Sequence, residues 1–202
     1  MKGRNVLLIA ALCFLLLLAY GCGDDDDGGG PNAQELIDQG WAKFGAGDNA
    51  GASGDFNAAL GLDPQANDYE AYFGLGWAEL KQGKAGLAED AFVTFLSKTS
   101  SLEDDAKAGL ALAYHAQVKF DDVIDAAEEV LAADPDWSFS RAPEIDYLDV
   151  ALVLAHSYYI TADFTESLQV VRDFFDPGFS VDTSTPEGRK QLADKLNSLY
   201  TG

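Results

Sequence analysis

From Ala33 onward, apolar and small residues recur at helical spacing in paired segments separated by tight turns. The clearest pair lies between Gly40 and Pro64. Gly40 and Ala52 are small where two antiparallel helices would touch, Phe44 and Phe56 are large beside them, and Gly47-Asp48 supplies the turn. Small residues let helices approach, and aromatic side chains fill the space alongside. Weaker copies begin near Tyr69, Asp104 and Leu148. The second carries Tyr72, Leu75-Gly76, Gly83, Ala88 and Phe92, and the third Leu110-Ala111, Tyr114, Phe120, Ala127 and Asp134-Pro135. The fourth carries Leu154-Ala155, Tyr158, Asp163-Phe164, Ser167, Phe174 and Pro177. Before it comes an extra loop, DWSFSRAPE, from Asp136 to Glu144. A last helix follows Pro177: Ser184 and Glu187 have capping-box spacing, Pro186 suits a first turn, and Leu192, Leu196 and Leu199 share one face.

This pattern resembles the tetratricopeptide repeat, a helix-turn-helix unit of about 34 residues. The resemblance implies an all-α fold, a right-handed superhelix (α-solenoid) of about four repeats plus a C-terminal capping helix. The repeats fall near 33–66, 69–102, 104–137 and 148–177, with the inserted loop at 136–144. Residues 178–202 are an irregular linker and the capping helix, whose one apolar face covers the end of the stack.

In this family the first helix of each repeat lines a concave groove. Carried over, that groove holds Ile37, Trp41, Phe44, Phe73, Trp77, Lys81, Leu112, His115, His156 and Tyr159. Chaperone-binding members grip a peptide carboxylate with Lys and Asn, but the matching positions here are Ile37, Trp41, Phe73 and Trp77, so that clamp is absent. What remains is an apolar, aromatic groove with an acidic edge, with Gly74 and Gly109 leaving space beside the tryptophans. It suits an amphipathic helix or an extended apolar peptide anchored by rings. The alternative is a groove filled from within, by the loop around Trp137 or by the C-terminal segment. Trp137 and Phe139 accordingly either fold back onto the repeats or join a binding surface.

The N-terminus reads as an address. Lys2 and Arg4 precede a continuous apolar run from Val6 to Tyr20. At about 15 residues the run suits a signal peptide better than a membrane span, which needs about 20. Leu18-Ala19-Tyr20-Gly21-Cys22 resembles a bacterial lipobox, with small Gly21 directly before the cysteine, although Ala19 and Tyr20 depart from the preferred residues. The resemblance implies a signal peptide over 1–21, acylation of Cys22, and a lipid-anchored protein on the periplasmic face or cell surface. Cys13 leaves with the signal, so no disulfide forms. Residues 22–32 are a flexible acidic tether, because adjacent aspartates repel one another and glycines bend freely.

Composition narrows the partners. Asp and Glu number 34 against 13 Lys and Arg, for a formal charge of −21. Such a surface repels phosphate backbones, which argues against nucleic acid; it steers a basic protein segment towards itself or serves solubility alone, while the groove suits an apolar one. No small-molecule substrate or cofactor is indicated: the sequence carries no phosphate-binding loop and no metal-spaced Cys/His cluster, and its only histidines are His115 and His156. The expectation is a non-catalytic, membrane-anchored binding scaffold of the cell envelope. The alternative is a structural subunit of an envelope assembly, in secretion, polysaccharide export or outer-membrane machinery, with a self-filled groove.

Overall fold

The computed structural model describes residues 30–62, 68–99 and 101–201. The signal segment, Cys22, most of the tether, Pro64 and Ser100 lie outside them. The contact pattern divides the chain after Pro31, and residues 32–202 form a compact helical unit. Among the described residues it contains α1 (Ala33–Gly45), α2 (Asn49–Leu62), α3 (Asp68–Lys81), α4 (Ala85–Lys98) and α5 (Glu103–Ala116). These are followed by α6 (Phe120–Ala133), α7 (Tyr147–Ile160), α8 (Phe164–Phe174) and α9 (Pro186–Thr201). Each of α1 to α8 packs on its neighbours in the chain, and the odd helices α1, α3, α5 and α7 also touch in sequence. The even helices do not touch one another, so the odd ones form the inner layer of an α-solenoid.

The helix pairs are joined by turns that need one left-handed residue. Gly47 (φ 80°) and Gly83 (φ 73°) supply it in the first two pairs, Val118 (φ 65°) and Ala162 (φ 72°) in the last two. Glycine takes this conformation freely, whereas Val118, branched at Cβ, holds it against a steric penalty of about 1–2 kcal/mol. Two helix starts carry reciprocal capping boxes. Asn32 and Glu35 bond reciprocally before α1, and Asp146 and Asp149 do so before α7. At α9 the cap is Thr185, whose Oγ1 accepts from the Gly188 amide at 3.1 Å. Ser184 instead bonds Asp182, with its amide at 3.0 Å and its hydroxyl at 2.6 Å. Helix α9 lies on α7 and α8 and buries Leu192 and Leu196.

Successive pairs interlock through aromatic rings held between glycines. A Cβ at Gly40 would come within 2.7 Å of the Phe56 ring, and one at Gly74 within 2.3 Å of the same ring. Phe92 is held in the same way, by Gly76 (2.6 Å) and Gly109 (2.4 Å). Each ring thus lies between a glycine of its own repeat and a glycine of the next. Gly74 and Gly109, expected to leave room beside the tryptophans, make room for Phe56 and Phe92 instead. At the third junction the corresponding residues are Ala127, Ala111 and Val153, all three buried, so no ring is held between glycines there.

Candidate functional site

The inner layer gathers the expected groove residues, and in its first half they are core. Ile37, Trp41, Phe44, Phe73 and Trp77 are all buried, Trp41 at 8% exposure and Trp77 at 0%. What covers them is the inserted loop between α6 and α7. Phe139 is 0% exposed and stacks on Trp77, with centroids 4.1 Å apart and planes 15° from parallel. It also meets Phe44, Phe73 and Trp41 at 6.2, 6.0 and 6.5 Å, arranged edge-on or tilted. Offset and edge-to-face pairs of this kind add about 0.5–1.5 kcal/mol each beyond area burial.

The loop is a miniature hairpin. Ser138 and Asp146 form an antiparallel bridge, the Phe139 amide donates to the Ile145 carbonyl (2.9 Å), and the Tyr147 amide donates to the Trp137 carbonyl (2.7 Å). Its backbone is therefore satisfied locally, as burial demands. Polar contacts fix it to the inner layer. Trp137 Nε1 donates to Asp105 (2.8 Å), Arg141 pairs with Glu70 (3.1 Å), and Lys81 pairs with Glu144 (3.1 Å). The Arg141 guanidinium also lies 4.0 Å from the centroid of the Trp41 ring, whose Nε1 donates to Glu70 at 3.2 Å. Burial lifts the Asp105 carboxyl above the usual range, opposed by the hydrogen bond from Trp137. An open groove across Ile37 to Trp77 is thus not what the chain builds: apolar faces this large close on themselves when a loop can reach them.

The second half differs. Leu112, His115, His156 and Tyr159 are partly exposed. His115 Nε2 and His156 Nδ1 are 2.9 Å apart, and Tyr200 of α9 stacks on His115 with its hydroxyl 3.2 Å from the same Nε2. Phe120 meets both imidazoles edge-on. Burial, and then the neighbouring His156, lower the His115 pKa from 6.5 to about 4, and burial lowers His156 as well. Both rings are therefore neutral at pH 7, one donating to the other. Among the described residues no three His, Cys, Asp or Glu side chains converge as a metal site would require.

A pH effect follows. His115 titrates lower in the folded chain than in the unfolded one, so the unfolded chain takes up its proton first as pH falls. The contribution is intact above about pH 6.5 and is lost as pH falls towards 4. Discounted for partial exposure, it amounts to about 1–2 kcal/mol. Urea midpoints should fall between pH 7.5 and 5, and His115→Gln should flatten most of that slope. An unchanged slope in the variant assigns the effect elsewhere.

No family model and no curated protein matches the sequence. Solved structures do. A tetratricopeptide repeat protein from Parabacteroides merdae aligns over 84% of this chain and 60% of its own, at 15% identity and a TM-score of 0.58. MamA (AMB-1) aligns over 87% of this chain and 86% of its own, at 19% identity and a TM-score of 0.58. The chain has the tetratricopeptide-repeat fold. It spans about 60% of the length of the first of these two neighbours. In the TPR frame, Trp41 and Trp77 stand at equivalent places on the first helices of adjacent repeats, and Phe139 reaches both. Two further residues that the repeat pattern does not mark lie over the inner layer, Arg141 on Trp41 and Tyr200 on His115. The signal for the first was present, since Trp137, Phe139 and Arg141 alternate in the one loop that breaks the repeat spacing.

Proposed function

We propose that this protein is a membrane-anchored, non-catalytic scaffold of the bacterial cell envelope that binds a protein segment. The observation that carries the reading is the inner TPR layer, whose aromatic surface with an acidic edge holds the chain's own loop, tipped by Arg141. Anchoring rests on the sequence alone: the apolar run from Val6 to Tyr20 ends at Gly21-Cys22, and the acidic tether follows. A single acyl chain gives only marginal membrane affinity, so stable anchoring implies multiple acylation of Cys22.

A second reading is favoured by the loop itself. With the first half of the groove occupied, the protein acts as a structural subunit whose contacts lie on the outer face, where Leu87 and Val93 of α4 are exposed. Photocrosslinkers at Leu87 and at Arg141, introduced one at a time in cells, separate the two. Protein adducts from Arg141 support the groove, adducts from Leu87 alone support the subunit reading, and adducts from neither site overturn both. Mass spectrometry of the mature N-terminus should find Cys22 diacylated or triacylated. A free amine at another residue removes the anchor.

A further inference from the structure

The hairpin that fills the groove has the features of a bound peptide. Along Trp137-Ser138-Phe139-Ser140 the side chains alternate between buried and exposed, as those of an extended strand do against a surface. The chain then turns, with the Ala142 amide donating to the Phe139 carbonyl at 3.0 Å, and Arg141, exposed at the turn, lies over the Trp41 ring and reaches Glu70. The loop's two donors meet carboxylates of the inner layer, Asp105 for the Trp137 indole and Glu70 for the Arg141 guanidinium, and its Glu144 meets the Lys81 ammonium. The match is electrostatic as well as steric, in a chain of formal charge −21.

One group of the groove is not satisfied. Trp77 is fully buried under Phe139, and its Nε1 has no hydrogen-bond partner. A buried N–H without an acceptor costs about 1–3 kcal/mol. The loop therefore fills the site without completing it, and a segment with a carbonyl at that point gains what the loop forgoes. The rim contacts that hold the loop, Arg141–Glu70 and Lys81–Glu144, have partly exposed side chains, so they open at little cost.

We propose that residues 136–146 are an internal stand-in for a ligand. The ligand is a partner segment that runs extended through an aromatic and a second aromatic two residues on, then turns to place Arg or Lys two residues after that. It displaces the hairpin, stacks its second aromatic on Trp77, and sets its cation over Trp41 beside Glu70. This inference rests on the scaffold reading and adds both the recognition rule and the inhibitory element. The closed loop weakens apparent binding by the fraction of molecules in which it is open.

The test uses the full-length chain in detergent and a fluorescein-labelled peptide of the loop's own sequence, PDWSFSRAPEI. Fluorescence anisotropy should show binding to a Phe139→Ala/Arg141→Ala double variant at least about tenfold tighter than to the unaltered chain. A peptide with its own Phe replaced by Ser should not bind. A double variant that keeps its helical circular dichroism yet ignores the peptide overturns the proposal. Should that variant unfold, hydrogen exchange on the unaltered chain decides. The Phe139 and Tyr147 amides should exchange through a local opening, faster than amides of α3, and simultaneous exchange overturns the proposal. A Phe139-dependent dimer in sedimentation names a second copy as the occupant and overturns the choice of a foreign partner. Protein adducts from Arg141 in cells with no peptide binding sink this inference alone. Peptide binding with no adduct anywhere sinks the scaffold reading alone.

Discussion

Replacing Phe139 by alanine should lower the unfolding free energy of the helical domain by about 3–5 kcal/mol, the range for a fully buried Phe whose site cannot collapse. The ring stacks on Trp77 and meets Phe44 and Phe73, all buried and held by helices α1 and α3, so little can move into the space it leaves. Urea unfolding followed by circular dichroism measures the loss. Ser140→Ala, at an exposed neighbour on the same hairpin, should stay within about 0.5 kcal/mol of the unaltered chain. A loss below about 1 kcal/mol at Phe139 would mean that the hairpin lies on the core without belonging to it.

At Gly74 the addition of one methyl group should cost about 1–3 kcal/mol. Alanine ordinarily gains about 1 kcal/mol over glycine inside a helix, so the sign alone is informative. The methyl would sit 2.3 Å from the Phe56 ring, which cannot retreat because Gly40 backs its other side at a similar clearance. At Gly54, in α2, an added Cβ would meet nothing within 4 Å, and Gly54→Ala should stabilise by up to about 1 kcal/mol. Phe56→Leu in the Gly74→Ala background should recover part of the loss, and a double-mutant cycle reads the coupling. Additive effects would show that the ring and the glycine are independent.

The repeat architecture was legible because the residues that set helix approach are local and recur: Gly40 with Ala52, Gly76 with Ala88, Ala155 with Ser167. The turns were legible only where glycine marks them, as at Gly47 and Gly83. Val118 and Ala162 take the same left-handed conformation with no such mark, since tertiary packing holds them there. The cap of α9 slipped by one residue because Ser184 and Thr185 are both competent caps and only the loop's own bonds to Asp182 choose between them.

The site was legible in pieces. Trp41 and Trp77 stood out by position, and Trp137 and Phe139 by their presence in a loop, but nothing local says that the second pair covers the first. That information is a long-range contact, decided by which apolar faces would otherwise meet water. The role of Gly74 and Gly109 was hidden for a related reason. A glycine records that something comes close and leaves unstated which ring it is.

The reach of Phe139 back to the first two repeats has a consequence for how the chain is made. A stack of repeats normally completes itself unit by unit, each needing only its neighbour. Here the aromatic faces of the first two repeats stay uncovered while the third repeat is being translated, and they gain their cover only when the loop leaves the ribosome. At about 5–20 residues per second that interval is roughly several seconds. For that time Trp41, Phe73 and Trp77 form an adhesive surface on a nascent chain, a natural landing place for a holdase.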